Sequence, residues 1–289
     1  MDLSIIIVNW NTKQLLSQCL ASIYQNTNRT KLNFEVIVVD NGSTDDSLAM
    51  VKKDYRQVML ISNPQNAGYV FANNQGIKLA RGKFILLLNS DTQIFSMSLE
   101  KTVEYLKANP KVGIAGCTLL NLDGGLQYSV RHFPRLTDQI VILTKMHNFF
   151  PGLISHYIWR DFNYKKEQAV DQVMGAFMII RREVIDQIGP LDEKIWSWFE
   201  DVDYCRRARQ AGWEVKYAPV AQIIHHKGES FSQHSAFRKQ KMFVKSLLYY
   251  FKKHNGKTSY YILWPFAAWS LFLAWWIQLF SIKKKNQQL

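Results

Sequence analysis

Four groups of residues in this chain have the types and spacing to do chemistry. They are Asp40, the step Asn89-Ser90-Asp91, the pair Glu200-Asp201, and His225-His226. Asn89-Ser90-Asp91 closes the apolar run Phe84-Ile85-Leu86-Leu87-Leu88, so a buried strand ends by delivering a carboxylate. A carboxylate there either holds a divalent cation against a phosphate or caps the next helix. Asp40 ends the run Glu35-Val36-Ile37-Val38-Val39 and is a ligand contact or a turn residue before Gly42. Glu200 and Asp201 follow the aromatic stretch Trp196-Ser197-Trp198-Phe199. They serve a proton transfer or the positive N-terminus of a helix. The two histidines are metal ligands or surface residues. Singly, each plain reading suffices. Jointly they weaken, because an α/β sheet gathers the carboxyl ends of its strands in one crevice.

One reaction class needs the whole set. Expelling a diphosphate from a nucleoside-diphosphate donor builds negative charge, which a carboxylate-held divalent cation stabilises. Oxygen ligands suit Mg²⁺ or Mn²⁺, and an imidazole tilts the choice toward Mn²⁺. The attacking hydroxyl must also lose a proton, which a carboxylate at the pocket mouth can take. Asp201 is placed for that, and Trp196 and Trp198 could stack on the apolar face of an acceptor sugar. A sugar-nucleotidyltransferase would instead show a glycine-rich basic loop after the first strand. Val8-Asn9-Trp10-Asn11-Thr12 has no glycine, and only Lys13 follows.

The elements that must position these residues alternate. Apolar runs over 3–8, 35–39, 58–61, 84–88 and 112–117 read as strands, and later ones over 173–180, 215–217 and 222–224. Helical spacing predicts a helix capped by Thr12, one beginning at Asp45-Asp46 under a Thr44 cap, and others over 69–80, 98–108, 183–188, 201–211 and 237–253. Continuous apolar strands between helices argue for a parallel sheet covered on both faces. Asp203 with Arg206 or Arg207 is a helix-surface ion pair, or a grip on donor phosphates. Cys19, Cys117 and Cys205 are scattered and odd in number, which fits buried thiols in a reducing compartment. The start, Met1-Asp2 ahead of a short β-branched run, is not a secretory leader.

The net charge of +13 is uneven, because ten lysines, one arginine and one acid fall after residue 226. The same tail holds Trp264, Trp269, Trp275 and Trp276 in an uncharged run over 260–282, flanked by lysines. Nucleic-acid surfaces interleave basic and aromatic residues. Here they are segregated, which is the layout of a segment seeking anionic lipid. The run is long enough to span a bilayer. Lysines on both flanks and Pro265 fit an interfacial or re-entrant helix pair as well, and a buried dimerisation helix is the third reading.

Several motifs now stand in order along residues 3–230. Leu3-Ser4-Ile5-Ile6-Ile7-Val8-Asn9-Trp10-Asn11 is followed by Val38-Val39-Asp40-Asn41-Gly42-Ser43-Thr44-Asp45-Asp46-Ser47 and Asn63-Pro64-Gln65-Asn66-Ala67-Gly68. Then come Leu87-Leu88-Asn89-Ser90-Asp91-Thr92, Gly175-Ala176, Phe199-Glu200-Asp201-Val202-Asp203-Tyr204-Cys205-Arg206-Arg207 and His225-His226-Lys227-Gly228-Glu229-Ser230. The ordered set resembles the family 2 glycosyltransferases of GT-A fold, most of all their rhamnosyl- and galactofuranosyltransferase-like branch.

The resemblance implies a Rossmann-like α/β domain with a mixed, mostly parallel sheet over 1–235. A membrane-associating helical tail would occupy 236–289. It implies inverting, metal-dependent transfer of a sugar from a nucleotide-sugar donor to a hydroxyl of a lipid-linked glycan acceptor. That chemistry would serve cell-surface polysaccharide synthesis at the cytoplasmic face of the cell membrane, with no nucleic-acid partner. Asp40, near Asn9 and Asn11, would bind the nucleobase or ribose. Asn66, Gly68, Asn89 and Gly175 would also contact the donor. Asp91 would bind Mn²⁺ or Mg²⁺ with His225, His226 being the adjacent alternative. Asp201 would be the general base, with Glu200 beside it. Asn89 stands where the motif often has a first Asp, which leaves one fewer anionic ligand. Rhamnose, galactofuranose, glucose, galactose and mannose donors are all served by similar motifs. A non-catalytic nucleotide-sugar-binding or membrane scaffold protein of the same fold is the competing expectation.

Overall fold

Successive side chains of a strand point to opposite faces, so a run that is apolar throughout needs cover on both sides. The computed structural model, which describes residues 1–27, 31–226, 228 and 233–286 with side chains through residue 279, has that arrangement. Lys227, Glu229 and Ser230 of the motif over 225–230 lie outside the described residues, as do the side chains of Lys283, Lys284 and Lys285.

The first half runs β1 (Leu3–Asn9), α1 (Lys13–Thr27), β2 (Phe34–Asp40), α2 (Ser47–Asp54), β3 (Met59–Ser62), α3 (Tyr69–Leu79), β4 (Phe84–Asn89), β5 (Thr92–Ile94), α4 (Ser98–Ala108) and β6 (Val112–Leu120). The second half runs β7 (Leu126–Gln127), β8 (Val130–Arg131), α5 (Leu136–Leu143), β9 (Gln168–Ala169), β10 (Gln172–Val173), β11 (Phe177–Arg181), α6 (Arg182–Ile188), α7 (Glu200–Gln210), β12 (Glu214–His225) and α8 (Ala236–Asn286). The main sheet has the order β3-β2-β1-β4-β11-β6-β12-β5. Strands β1 to β4 are mutually parallel where they pair, β11 is antiparallel to both neighbours, and β12 runs parallel to β6. The sheet is therefore mixed and mostly parallel, as expected.

Alternation then sorts the core. Ile6, Ile37, Val39, Ile85 and Leu87 face one cluster with α3, α7 and α8. Ile5, Ile7, Val36, Val38, Leu86 and Leu88 face the other with α1, α2 and α4. Register places Asn9 opposite Asp40 and Val8 opposite Asn89, so three strands end together. His225, the last residue of β12, pairs with Thr92 just after Asp91.

Local expectations fail in instructive places. Helix α2 starts at Ser47 rather than Asp45, because Asp45 turns its carboxylate onto the Ser47 and Lys13 main-chain N–H groups, and the Thr44 N–H donates to Asn11 Oδ1. The run over 173–180 breaks at Met174-Gly175, so Val173 pairs with β8 and the strand proper begins at Phe177. The two short strands near the end are one strand, β12, with a shift of register between Tyr217 and Gln222. All three cysteines are free and buried.

Helix α8 is broken. Gly256 adopts φ 85°, which glycine tolerates and which no helix continues through. The Phe237 N–H donates to Gln278 Oε1 at 3.2 Å, and Gln240 Nε2 to Ser270 Oγ at 2.9 Å. The chain after Gly256 thus folds back along the chain before it, as an antiparallel helical hairpin. Val244, Leu247, Tyr250 and Phe251 of the first arm are buried in the core beside Phe199. The second arm buries Leu263, Ala267 and Ser270 and exposes Tyr261, Trp264, Trp269, Phe272, Trp275 and Trp276.

The acidic Asp203 is not a surface residue. It is 1% exposed and meets Arg207 Nε at 2.9 Å, Lys253 Nζ at 2.7 Å and His254 Nε2 at 2.7 Å. Lys253 also reaches Asp192 at 2.8 Å. Arg206 donates to Tyr250 and Asn255. The group ties α7 to the first arm of the hairpin, so the expected surface pair is a buried clamp between elements. Neither Arg206 nor Arg207 is among the residues lining the crevice.

Candidate active site

The crevice lies where β1, β2 and β4 end, as the topology of an open α/β sheet dictates. It has two connected chambers. One is lined by Asn41, Asn66, Asp91 and Trp196, the other by Arg131, Tyr157, Gly175, Trp198, Glu200, Asp201 and His225. Tyr69, Asn89 and Ser197 line both.

Asn9 and Asp40 lie behind the wall of the Asp91 chamber. Asn9 Nδ2 donates to Asp40 Oδ2 at 2.9 Å, and the Ser43 N–H donates to Asp40 Oδ1 at 2.9 Å. Both residues are 1% exposed or less, and their polar atoms are spent on holding the turn after β2. Asn11 links the same turn to β1 by accepting from the Thr44 N–H at 2.7 Å. The amide that faces outward from this network is Asn41. It donates to Asn66 Oδ1 at 3.0 Å and to the Gly68 carbonyl at 3.2 Å, and accepts from Asn63 and the Ala67 N–H. Gly68 has φ 97°, and a Cβ there would sit 3.0 Å from the Trp196 ring. Trp196 therefore closes the Asp91 chamber. Expected beside Asp201 as an acceptor platform, it instead packs on the loop before α3, while Trp198 lines the Asp201 chamber.

Asp91 does not cap a helix, because β5 intervenes and the next helix starts seven residues later at Ser98. Its Oδ1 lies 3.4 Å from His225 Nε2, with both residues buried. The Asn89 Nδ2 group is also 3.4 Å from that nitrogen, and Asn89 Oδ1 accepts from the Tyr69 hydroxyl at 3.1 Å. Burial above all raises the Tyr69 hydroxyl, so that it stays neutral. His226 turns the other way, with Nε2 3.2 Å from the Gln93 amide. Its main-chain N–H donates to the Asp91 carbonyl at 2.9 Å. Of the two histidines, His225 is the one whose side chain faces Asp91.

Gln127 fixes the state of that ring. Gln127 Nε2 donates to Asn121 Oδ1 at 3.0 Å, which leaves Oε1 facing His225 Nδ1 at 2.7 Å. Nδ1 is thereby the donor, and Nε2 is the nitrogen turned toward Asp91. A carboxylate oxygen and an imidazole nitrogen held face to face suit a cation between them. Among the described residues no third His, Cys, Asp or Glu joins them.

In the second chamber, two successive left-handed residues, Trp198 and Phe199, turn the chain sharply into α7. The turn brings Glu200 and Asp201 into the crevice on the first turn of the helix. Asp201 Oδ2 accepts from the Gly175 N–H at 3.0 Å, and Oδ1 from the Val202 N–H at 2.8 Å. Gly175 thus reaches the site through its N–H, by aiming Asp201. Burial and the adjoining Asp201 carboxylate push Glu200 up to about 8. Burial raises Asp201 too, opposed by the Gly175 and Val202 N–H groups and the Arg131 guanidinium. Glu200 Oε2 has no hydrogen-bond partner among the described residues. The pair's proton therefore rests on Glu200, and Asp201 keeps the charge, as a base requires.

Three residues of this site were not visible in sequence: Gln127, Arg131 and Tyr157. They come from the irregular stretch over 119–172, where no period of 2 or 3.6 marks an element.

Residues 4–189 match the model of glycosyl transferase family 2. Over 270 residues the chain is 26% identical to N-acetylglucosaminyl-diphospho-decaprenol L-rhamnosyltransferase of Mycobacterium tuberculosis, a match covering 88% of this chain and 85% of that one. The uncharacterized protein y4gI of Sinorhizobium fredii is 29% identical over 231 residues, which is 78% of this chain and 24% of that longer protein. Among solved structures, mannosyltransferase PcManGT from Pyrobaculum calidifontis in complex with GDP-Man and Mn²⁺ superposes with a TM-score of 0.58. Its sequence identity is 17%, and the match covers 94% of this chain and 73% of that one. That likeness is one of fold, the GT-A arrangement of a mixed, mostly parallel α/β sheet.

Proposed function

Because the chain belongs to glycosyl transferase family 2, we propose that it moves a sugar, with inversion, from a nucleoside-diphosphate donor to a hydroxyl of a lipid-linked glycan acceptor. The product would serve cell-surface polysaccharide synthesis. The observation that carries this reading is the meeting of Asp91–His225 and Glu200–Asp201 in one crevice, joined through Tyr69 and Asn89.

The donor would occupy the Asp91 chamber. Asn41, Asn66 and the Gly68 loop would meet its nucleoside, and Asn9, Asn11 and Asp40 hold the turn that presents them. Asp91 Oδ1 and His225 Nε2 would hold Mn²⁺ or Mg²⁺, and with Asn89 uncharged the donor's phosphates would share that role. The bound ion would supply charge stabilisation to the departing diphosphate. The acceptor sugar would enter the Asp201 chamber beside Trp198. Asp201 takes the hydroxyl proton as the oxygen bonds to the anomeric carbon, and the bond to the diphosphate breaks with its electron pair on the leaving oxygen. Attack opposite the leaving group inverts the centre. The competing scaffold reading has no feature of the crevice in its favour.

The hairpin supports membrane seating without a span. Its apolar arm runs back along an arm that is part of the core, so only its outer, tryptophan-rich face is free to enter lipid. Residues 260–282 would lie in the interface of an anionic membrane, at the cytoplasmic face, with the 236–289 tail acting as the anchor of the catalytic domain.

A screen of nucleotide-sugar donors with Mn²⁺ tests the assignment. We expect at least one donor to be consumed, with product whose anomeric configuration, read by NMR, is opposite to the donor's. A product that retains the donor's configuration would contradict the roles given to Asp201 and the crevice.

A further inference from the structure

A second apolar surface lies off the hairpin. In the stretch after α5, Met146, Phe149, Phe150 and Leu153 are exposed together. Phe149, at 79%, is the most exposed large apolar side chain among the described residues. Single apolar residues scattered on a surface need no explanation, but adjacent phenylalanines with Met and Leu beside them do. They sit on two 3-10 turns, Met146–Asn148 and Pro151–Ile154, which pack against each other and against α5. The N–H groups of Asn148, Phe149, Phe150, Leu153 and Ser155 donate to carbonyls within the stretch, and Ser155 Oγ donates to the Gly152 carbonyl. Main-chain groups paired internally are what a segment needs if it is to leave water for lipid.

Its charge and its neighbour indicate what covers this surface. From Gln139 to Arg160 there is no acidic residue, while Lys145 and Arg160 flank the tip. An apolar aromatic tip between cations suits anionic headgroups above acyl chains. Helix α5 packs against α8, and its first residue, Leu136, lines a surface cleft with Asn255 at the hairpin bend. Leu143, at its other end, is buried in the same cluster as Leu263 and Ala267 of the hairpin's second arm. The phenylalanines are thus carried by a helix seated on the element whose tryptophan face is exposed. We propose that the 146–154 stretch is a second membrane contact, its Phe149-Phe150 tip entering the same anionic bilayer surface as the hairpin. This rests on the membrane seating of the hairpin given above. Tyr157, just past the tip, and Phe243 of the first arm both line the Asp201 chamber. A lone helical contact leaves the domain free to roll about the helix axis. A second contact removes that freedom and fixes how the Asp201 chamber meets the lipid surface.

The test is binding of the full chain to mixed phosphatidylcholine–phosphatidylglycerol vesicles. The double variant Phe149→Ala/Phe150→Ala is expected to bind them at least about tenfold more weakly, since burying one phenylalanine is worth about that factor or more. Both side chains are exposed, so its thermal unfolding should match that of wild type. A second measurement needs no loss of side chains from the pair's partner. The three native cysteines are buried, so Phe149→Cys takes a polarity-sensitive nitrobenzoxadiazole label at one place. Its emission should rise on the vesicles and be quenched by lipids brominated in the acyl chain. If the double variant binds as wild type does, or the label stays in water on vesicles that carry the chain, the inference falls while the hairpin's seating stands. If wild type binds no vesicles, the hairpin's seating falls first and this inference with it. A lipid-free dimer that the double variant loses, read by analytical ultracentrifugation, would assign the tip to a second copy of the chain and overturn the inference as well.

Discussion

Asp201→Asn is expected to cut sugar transfer by about 10²–10⁴-fold, the usual worth of a positioned general base. The amide keeps the shape, but its single oxygen can accept from only one of the Gly175 and Val202 N–H groups, and it cannot take a proton. Nucleoside-diphosphate affinity should change little, because the nucleoside would meet Asn41 and Asn66, in the chamber that Asp201 does not line. The acid limb of the wild-type pH–rate profile should sit above the ordinary carboxylate range, since burial raises Asp201 and the neighbouring Glu200. Transfer rates and nucleotide binding, measured on the same preparation, check both halves. Wild-type turnover in the variant would remove Asp201 from the mechanism.

Asp203→Asn is expected to destabilise the fold by about 3–5 kcal/mol, although the change is only two residues away and chemically similar. The difference is what surrounds the carboxylate. Burial opposes its charge, yet His254, Lys253 and Arg207 outweigh that and hold Asp203 below the usual carboxylate range. Removing the charge leaves Lys253 and Arg207 without their shared anion between α7 and the hairpin. Because the folded-state value is depressed, the stabilisation is present at neutral pH. It is lost as pH falls from the unfolded value through the folded one. The gap between wild type and variant should therefore narrow in acid. Denaturant unfolding at pH 7 and below pH 4 measures this. A gap under about 1 kcal/mol at pH 7 would mean the clamp is solvated rather than buried.

The chemistry was legible where it sat at the end of an apolar run. Asp91 and the Glu200-Asp201 pair were marked by the abrupt step from buried strand or aromatic stretch to charge, and the sheet topology then brought them together. His225 was legible only as one of two neighbours, since the period of 2 that separates its face from that of His226 acts through pairing with β5. Asp40 was visible for the same reason as Asp91, but its burial behind Asn41 was not, because sequence does not say which side chain fills the turn. Gln127, Arg131 and Tyr157 had no signal, being held by long-range pairing in a stretch without periodicity. The i, i+4 pair of Asp203 with Arg207 was legible and is present, but its burial was not, because its other partners lie about fifty residues on, at Lys253 and His254. The hairpin did leave a mark, the Asn255-Gly256 turn dipeptide between two helical patterns. The charge pattern of the tail was read without it.

The most direct test of the account is donor turnover, with Mn²⁺ and with chelator, in wild type and in Asp91→Ala. The donor would be one consumed in the nucleotide-sugar screen. If Asp91 and His225 form the metal end of a single transfer site with Asp201 at the other, wild-type turnover will require the metal. It will be restored by Mn²⁺ after chelation, and Asp91→Ala will lose it at any practical Mn²⁺ concentration. Turnover that survives both the chelator and the loss of Asp91 would contradict the account.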